Sequence, residues 1–317
     1  MTTTDTSQSQ NDPAESQAQL ANFGLYAGTV FVWGTSWYAL KLQVGVVAPH
    51  VSLTWRFILA AIIMWAIIGL TKRPMRFSLR DHLDFAGLGL FLFSTNFALF
   101  YYAGSMITSG LLSVIFSLAS IINIALALIV YRLVPTKQVL LGAALGVTGI
   151  GALFWPEISN SENQADMLLG LGLCVAGTLS FCIGNLFSMR IQRRGLSVMA
   201  SNAWGMSYGA AINAFIALMI GAEFIIEPTA SYILSLVWLA TTATVMAFWF
   251  YLTLLGRIGS AKAAYTTVLF PIIAMLVSTM MEDYQWSVLA VGGVGLALLG
   301  NVLVLTSKSK PASKPKT

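Results

Sequence analysis

A chain of 317 residues in which 57% of the side chains are hydrophobic and 9% charged cannot be an ordinary soluble globule, because soluble domains carry roughly 25% charged residues. The 17 basic and 12 acidic residues leave a net charge of +5, but nucleic-acid-binding proteins present Lys and Arg on exposed faces and are not this apolar. Cys174 and Cys182, the two cysteines, provide neither a disulfide framework nor metal-ligand spacing. The composition predicts an all-α integral membrane protein.

Residues 1–21 are mainly Ser, Thr, Gln, Asn and acid, with no Lys or Arg. They lack the basic start and short apolar core of a secretory signal and read as a disordered tail. A membrane-crossing helix needs about 20 mostly apolar residues. Breaks at charges, Pro and Gly clusters divide the chain after residue 21 into ten such spans, at 22–40, 51–70, 85–104, 110–130, 138–155, 167–189, 198–220, 232–254, 261–280 and 286–306. The connections between spans 3 and 4 and between spans 8 and 9 carry the weakest breaks. Spans 1–5 make a first half, 22–155, an outer loop occupies 156–166, and spans 6–10 make a second half, 167–306. A basic tail closes the chain at 307–317. Ten spans leave no room for a soluble catalytic domain.

Cytoplasmic loops accumulate Lys and Arg, which tests the span count independently. With the N-terminus inside, 15 of the 17 basic residues fall on cytoplasmic segments, and only Lys41 and Arg56 lie on the outer side. The outer loops instead carry Glu157, Glu162, Asp166, Glu223, Glu227, Glu282 and Asp283. A missed span would invert everything after it, so the pattern predicts both termini in the cytoplasm. The basic run from Lys72 to Arg80 supplies this signal and contact with anionic lipid.

A step of 151 residues lays 103–154 on 254–305 without a gap, setting Ser109 on Ser260, Ile121-Ile122 on Ile272-Ile273, Gly142 on Gly293 and Gly149 on Gly300. A step of 148 lays Trp33-Gly34 on Phe181-Cys182. Spans 1–5 thus fall on spans 6–10. Because five is odd, the second copy enters the membrane from the opposite side, which makes an inverted-topology repeat of the kind that recurs in secondary transporters.

Trp33-Gly34-Thr35-Ser36 leading to Lys41, Arg56 opening span 2, and Phe270-Pro271-Ile272-Ile273 followed by Glu282 resemble the ten-helix EamA-type branch of the drug/metabolite transporter superfamily over residues 22–306. The resemblance implies a basket of ten helices around a central cavity lined by spans 1, 3, 4, 6, 8 and 9. Within that branch the chain is most similar to amino-acid exporters of the bacterial aromatic amino-acid exporter group, which implies a bacterial inner-membrane location. Tyr131-Arg132 stands where the first repeat of the family usually carries an acid, so a gating role for that acid does not carry over.

All twelve Asp and Glu fall in tails or loops of this map, and His50 and His82 lie at helix ends. Proton-coupled pumps usually hold an acid or His within the membrane, and a cationic-drug antiporter needs a buried carboxylate. Both are disfavoured. Facilitated export is the simpler reading, with a sodium site made of carbonyls and hydroxyls left open. Intramembrane proteases need a Ser with a His, two Asp, or an H-E-x-x-H helix at membrane depth, and none is available. No enzyme activity, cofactor or metal is expected.

Polar and aromatic residues inside the spans are then the site candidates. Span 1 offers Trp33, Thr35, Ser36 and Trp37, with Trp33 and Ser36 on one face. The expected substrate-binding set is Trp33, Ser36, Phe93, Asn96, Phe97, Ser117, Phe181, Asn185, Thr244 and Tyr265, with further aromatics at Phe100, Tyr101, Phe116 and Trp249. Hydroxyls and amides suit the ammonium and carboxylate of a zwitterion, and aromatics cover an apolar side chain. Against this stands the ordinary role of intramembrane Ser, Thr and Asn as packing residues and interhelical glue. Pro271 kinks span 9 and reads as a hinge. Arg56 reads as a snorkelling or loop-bonded charge or as an outer gate or carboxylate attractor. Gly142 and Gly146 read as close helix packing.

The sequence therefore predicts a secondary transporter exporting amino acids, aromatic and other neutral ones, or similar small metabolites by alternating access. A facilitator for nucleobases, sugars or other neutral metabolites is the alternative, and a non-transporting receptor or scaffold is another. Its partners are a small-molecule substrate and membrane lipid, with no nucleic acid, in a monomer or weak homodimer.

Overall fold

The structure is a computed structural model, and it describes residues 13–71, 76–131, 134–258 and 266–307. Among the described residues the regular structure is entirely helical. In chain order the helices are α1 (Pro13–Lys41), α2 (Pro49–Leu70), α3 (Leu79–Gly104), α4 (Ser109–Phe116), α5 (Ala119–Tyr131), α6 (Lys137–Asn160), α7 (Gln164–Arg193), α8 (Val198–Met219), α9 (residues 230–258), α10 (Thr266–Met281) and α11 (Val288–Thr306). Six of these, α2, α3, α6, α7, α9 and α11, are long and apolar enough to cross a membrane by length and composition, and α10 is a shorter apolar helix.

Several boundaries differ from the sequence reading. The first helix begins at Pro13 rather than near residue 22. α3 starts six residues earlier than the expected residue 85, because Ser78 and Asp81 form a capping box: the Ser78 side chain accepts from the Asp81 amide, and the Asp81 carboxylate accepts from the Ser78 amide. This reciprocal pairing satisfies two orphan donors of the first turn. At the expected outer loop of 156–166, α6 runs on through Pro156 to Asn160 and α7 begins at Gln164, capped by Asn163 on the Asp166 amide. Asp81, Glu157 and Asp166 therefore lie in terminal turns of helices and Asp84 in the second turn of α3, which corrects the expectation that every acid lies in a tail or loop. The expected span 4 is broken by a turn at Ser117-Leu118 that separates α4 from α5. Lys72, Arg73, Arg132, Lys262 and the tails at 1–12 and 308–317 fall outside the described residues.

Two helices contain π-helical segments, Phe91–Thr95 in α3 and Trp238–Met246 in α9. A π segment inserts extra residues into a helix and leaves some backbone groups without their usual partner, which is why such segments often occur at functional sites. Thr244 responds to this geometry: its hydroxyl donates to the Leu239 carbonyl five residues back, at 2.7 Å.

In lipid, helix association rests on van der Waals packing and interhelical hydrogen bonds rather than on expulsion of water. The closest seam joins α6 and α11. A Cβ built on Gly142 would lie 2.7 Å from the Gly300 carbonyl oxygen, and one on Gly300 would lie 2.5 Å from that of Gly142. Small residues let the two backbones touch here, as the sequence reading of Gly142 expects. α2 packs on α8, where Trp65 Nε1 donates to Ser207 Oγ at 3.0 Å and the Trp65 and Trp204 rings meet edge to face. α1 packs on α10 at Gly34, whose Cβ would meet Ile273 Cβ at 2.5 Å and the Phe270 carbonyl at 3.1 Å.

The start-to-start spacing of helices repeats. Leu79 and Ala230 open α3 and α9, and Lys137 and Val288 open α6 and α11; both pairs are separated by the same 151-residue step. α2 and α8 each contain 22 residues.

Candidate functional site

Five rings from five helices converge. Trp37 of α1 meets Phe100 of α3 at 5.1 Å, Phe116 of α4 at 5.4 Å and Phe270 of α10 at 6.3 Å between centroids. Phe116 also contacts Phe181 of α7 at 4.7 Å, Phe100 at 5.7 Å and Phe270 at 6.0 Å. These spacings and tilts match favourable edge-to-face and offset geometry. Gly34 explains why Trp37 belongs to the cluster: three residues apart on α1, the two share a face, and Gly34 brings that face against α10.

Polar groups stand beside the rings. Ser117 follows Phe116 at the α4 break; its hydroxyl donates to the Val114 carbonyl at 2.6 Å and accepts from Asn301 Nδ2 at 3.0 Å. Asn301 Oδ1 accepts in turn from Ser120 Oγ. On α3, Asn96 is 2% exposed; its Nδ2 donates to the Leu92 carbonyl at 3.3 Å, and its Oδ1 is buried without a hydrogen-bond partner.

Arg56 lies next to this region, on the α2–α3–α9 contact. It is 3% exposed, and its guanidinium lies 4.3 Å from the Phe97 ring centre and 5.4 Å from that of Phe57. Nη2 donates to Thr244 Oγ1 at 3.3 Å, and the Tyr101 side chain lies beside it. The reading of Arg56 as a snorkelling or loop-bonded charge does not hold. Position 56 is the eighth residue of α2, past its first two turns, and its guanidinium is enclosed among α2, α3 and α9.

The expected residues divide accordingly. Phe181 and Ser117 stand at the ring cluster, and Phe97 and Thr244 at Arg56. Trp33 instead packs against Phe248 and Tyr251 of α9, at 6.1 and 5.3 Å. Ser36 donates to the Trp33 carbonyl of its own helix at 2.8 Å. Phe93 is packed on Gly205 and Gly209 of α8. Asn185 reaches Asn123 Oδ1 at 3.4 Å. Pro271 is buried within α10, and Tyr265 lies outside the described residues. Trp37 and Phe116 stand among the wider span candidates but outside the expected binding set, and Asn301 and Phe270 are not among the candidates at all. A lone amide in an otherwise apolar span was the available signal for Asn301, and the Gly34 spacing was the signal for Trp37.

The two ends of the bundle carry charged clasps. At one end Glu282 accepts from the Ser109 amide, at 3.0 and 3.2 Å, and from its hydroxyl, on the positive end of α4. Lys41 Nζ donates to the Gly104 and Ile107 carbonyls alongside. At the other end Arg194 pairs with Asp81 and, at 2.8 Å, with Asp84, while Arg190 pairs with Asp84 at 3.4 Å.

The model of the EamA-like transporter family matches residues 23–155 and again residues 168–306. The chain belongs to the EamA-like transporter family. Relatives in this family include the "Probable amino-acid metabolite efflux pump" of Escherichia coli K12, 26% identical over 87% of this chain and 90% of that protein. The inner membrane transporter YedA of the same organism is 23% identical over 92% of this chain and 93% of its own length. A crystal structure covering 91% of this chain and 96% of its own superposes with a TM-score of 0.64 at 15% identity, so the EamA-like chain shares that fold. It is a membrane transporter, and YedA among its relatives is named as an inner-membrane one.

Proposed function

We propose that this EamA-like transporter exports amino acids, aromatic and other neutral ones, or similar small metabolites, across a bacterial inner membrane by alternating access. The observation that carries the reading is the five-ring cluster of Trp37, Phe100, Phe116, Phe181 and Phe270. It joins three helices of the first half to two of the second, the junction where transporters built from two halves hold their substrate. Rings, the Ser117–Asn301 pair and Asn96 suit a solute with an apolar body and a polar end. The relatives named as amino-acid metabolite efflux pumps support the substrate class.

Ten crossings in two inverted halves underlie this mechanism, with α4 and α5 forming one broken crossing and both termini cytoplasmic. The two matches of one family model, the 151-residue step between helix starts and the reciprocal contacts of α6 and α11 support that arrangement. Transport is facilitated rather than carboxylate-coupled: among the described residues, Asp and Glu side chains stand in helix termini and connections, in caps and clasps, not among the rings.

Flux of labelled amino acids into proteoliposomes, with and without imposed proton and sodium gradients, tests the proposal. Saturable flux without a gradient is expected. Uphill accumulation on a proton gradient would reject facilitation, and silence across the panel with folded protein would reject the substrate class.

A further inference from the structure

A buried cation normally faces a carboxylate. Asp81 and Asp84 illustrate the rule from the other side, each buried and each ion-paired. Arg56 does not follow it. Among the described residues no carboxylate lies within ion-pairing distance of its guanidinium, and Nε and Nη1 are buried without a hydrogen-bond acceptor. Phe97 and Phe57 offer ring faces, which attract a cation but accept no proper hydrogen bond. Thr244 uses only one proton of Nη2. An unpaired charge in a water-poor site is costly unless something arrives to pair with it.

Packing alone does not require an arginine here. Laying α2 on α8 from their first residues sets Arg56 on Gly205, and laying α3 on α9 sets Phe93 on Thr244. The counterpart residues also meet: a Cβ on Gly205 would lie 3.0 Å from the Phe93 ring. The α3–α8 contact closes with a ring on a glycine. The corresponding α2–α9 contact places a guanidinium and a hydroxyl there, at the π segment of α9.

We propose that Arg56 is the anchor for a carboxylate carried by the transported solute, so that the substrates are carboxylates with an apolar body. This rests on the transport reading above and narrows it. Nη1 and the second proton of Nη2 form a planar fork that matches the two oxygens of a carboxylate. The Tyr101 hydroxyl, which interacts with the guanidinium and has no further hydrogen-bond partner, stands beside it. Phe97 lies against the guanidinium, and Phe100, one turn further along α3 on the same face, belongs to the ring cluster. A solute anchored at Arg56 therefore directs its apolar body toward the five rings.

The test uses purified full-length protein in detergent or nanodiscs, with 3-phenylpropionate and its neutral isostere 3-phenylpropanamide as probes. Calorimetric or thermal-shift titration of the wild type is expected to give about 10- to 100-fold tighter binding of the acid, the range for a charge-assisted pair. Arg56→Gln should abolish that preference, and Arg56→Lys should keep part of it. Equal binding of acid and amide by the wild type, binding of neither, or an undiminished preference in folded Arg56→Gln would overturn the anchor. If amino-acid flux is absent while the acid preference and its loss in Arg56→Gln hold, the amino-acid reading fails and the anchor stands. If amino acids and their decarboxylated amines move equally well, the anchor fails and the transport reading stands.

Discussion

Gly149 and Gly293 face one another so closely that a Cβ built on either would lie 2.6 Å from the other's carbonyl oxygen. Gly142 and Gly300 repeat the relationship two turns away along the same two helices. The 151-residue step sets Gly142 on Gly293 and Gly149 on Gly300, so each contact maps onto the other with its partners exchanged. A pairing that survives exchange of its members is what a two-fold axis between α6 and α11 produces.

A methyl group added at Gly149 or Gly293 has only backbone to push against. Gly149→Ala or Gly293→Ala should lower stability by about 1–3 kcal/mol, as overpacking does, and the double variant should cost less than the sum because one separation relieves both. Unfolding in detergent, followed by helical circular dichroism, reads this directly; unchanged midpoints would mean that the helices separate freely.

Gly34 should be as intolerant, but its obstacle is a side chain. Gly34→Ala is expected to reduce flux and stability together, because it forces α1 off α10 and carries Trp37 away from Phe270. Ile273→Ala in the same chain removes the colliding atoms and should restore part of both. Failure of that rescue would place the defect elsewhere than at the crossing.

The ring cluster and Trp33 make opposite predictions. Phe116→Leu and Phe181→Leu each remove ring contacts worth about 0.5–1.5 kcal/mol per pair, and should raise the half-saturation concentration for an aromatic amino acid about 3- to 10-fold. Trp33→Leu, whose ring packs on α9, should leave it unchanged. A larger effect at Trp33 than at Phe116 would move the site to the α1–α9 contact.

Arg194 holds two buried acids. Arg194→Gln leaves Asp81 and most of Asp84's pairing unmet, and should destabilise by about 1–3 kcal/mol. Adding Asp84→Asn should recover part of this loss, since the amide no longer demands a cation. Additive losses in the double variant would show that the pair is not coupled.

The span pattern was legible because Lys, Arg and Pro mark helix ends in a chain otherwise rich in apolar residues. The first turn of α3 was legible in principle as Ser78-x-x-Asp81, but two acids before an apolar run read more readily as loop. The α4–α5 break was not: Ser117-Leu118 sits inside an apolar stretch with no Gly or Pro, and the turn is held by the local Ser117–Val114 bond together with the tertiary contact of Asn301 on Ser117. Of the site, the sequence marked residue types well and faces poorly. Trp33 and Trp37 are alike in sequence and are separated by which helix each meets. Arg56 carried the clearest chemical signal, and its depth was visible only once Pro49 was seen to open α2.

The π segment of α3 fixes the phase of everything after it. One residue of an α-helix turns its neighbours by about 100°, so an insertion at Phe91–Thr95 rotates Phe97, Phe100 and Tyr101 relative to the half of α3 that packs on α8. Deleting a single residue there would return α3 to an uninterrupted α-helix of nearly the same length. It would also swing those three rings away from Arg56 and Trp37 at once, erasing the site with hardly any change in the bundle.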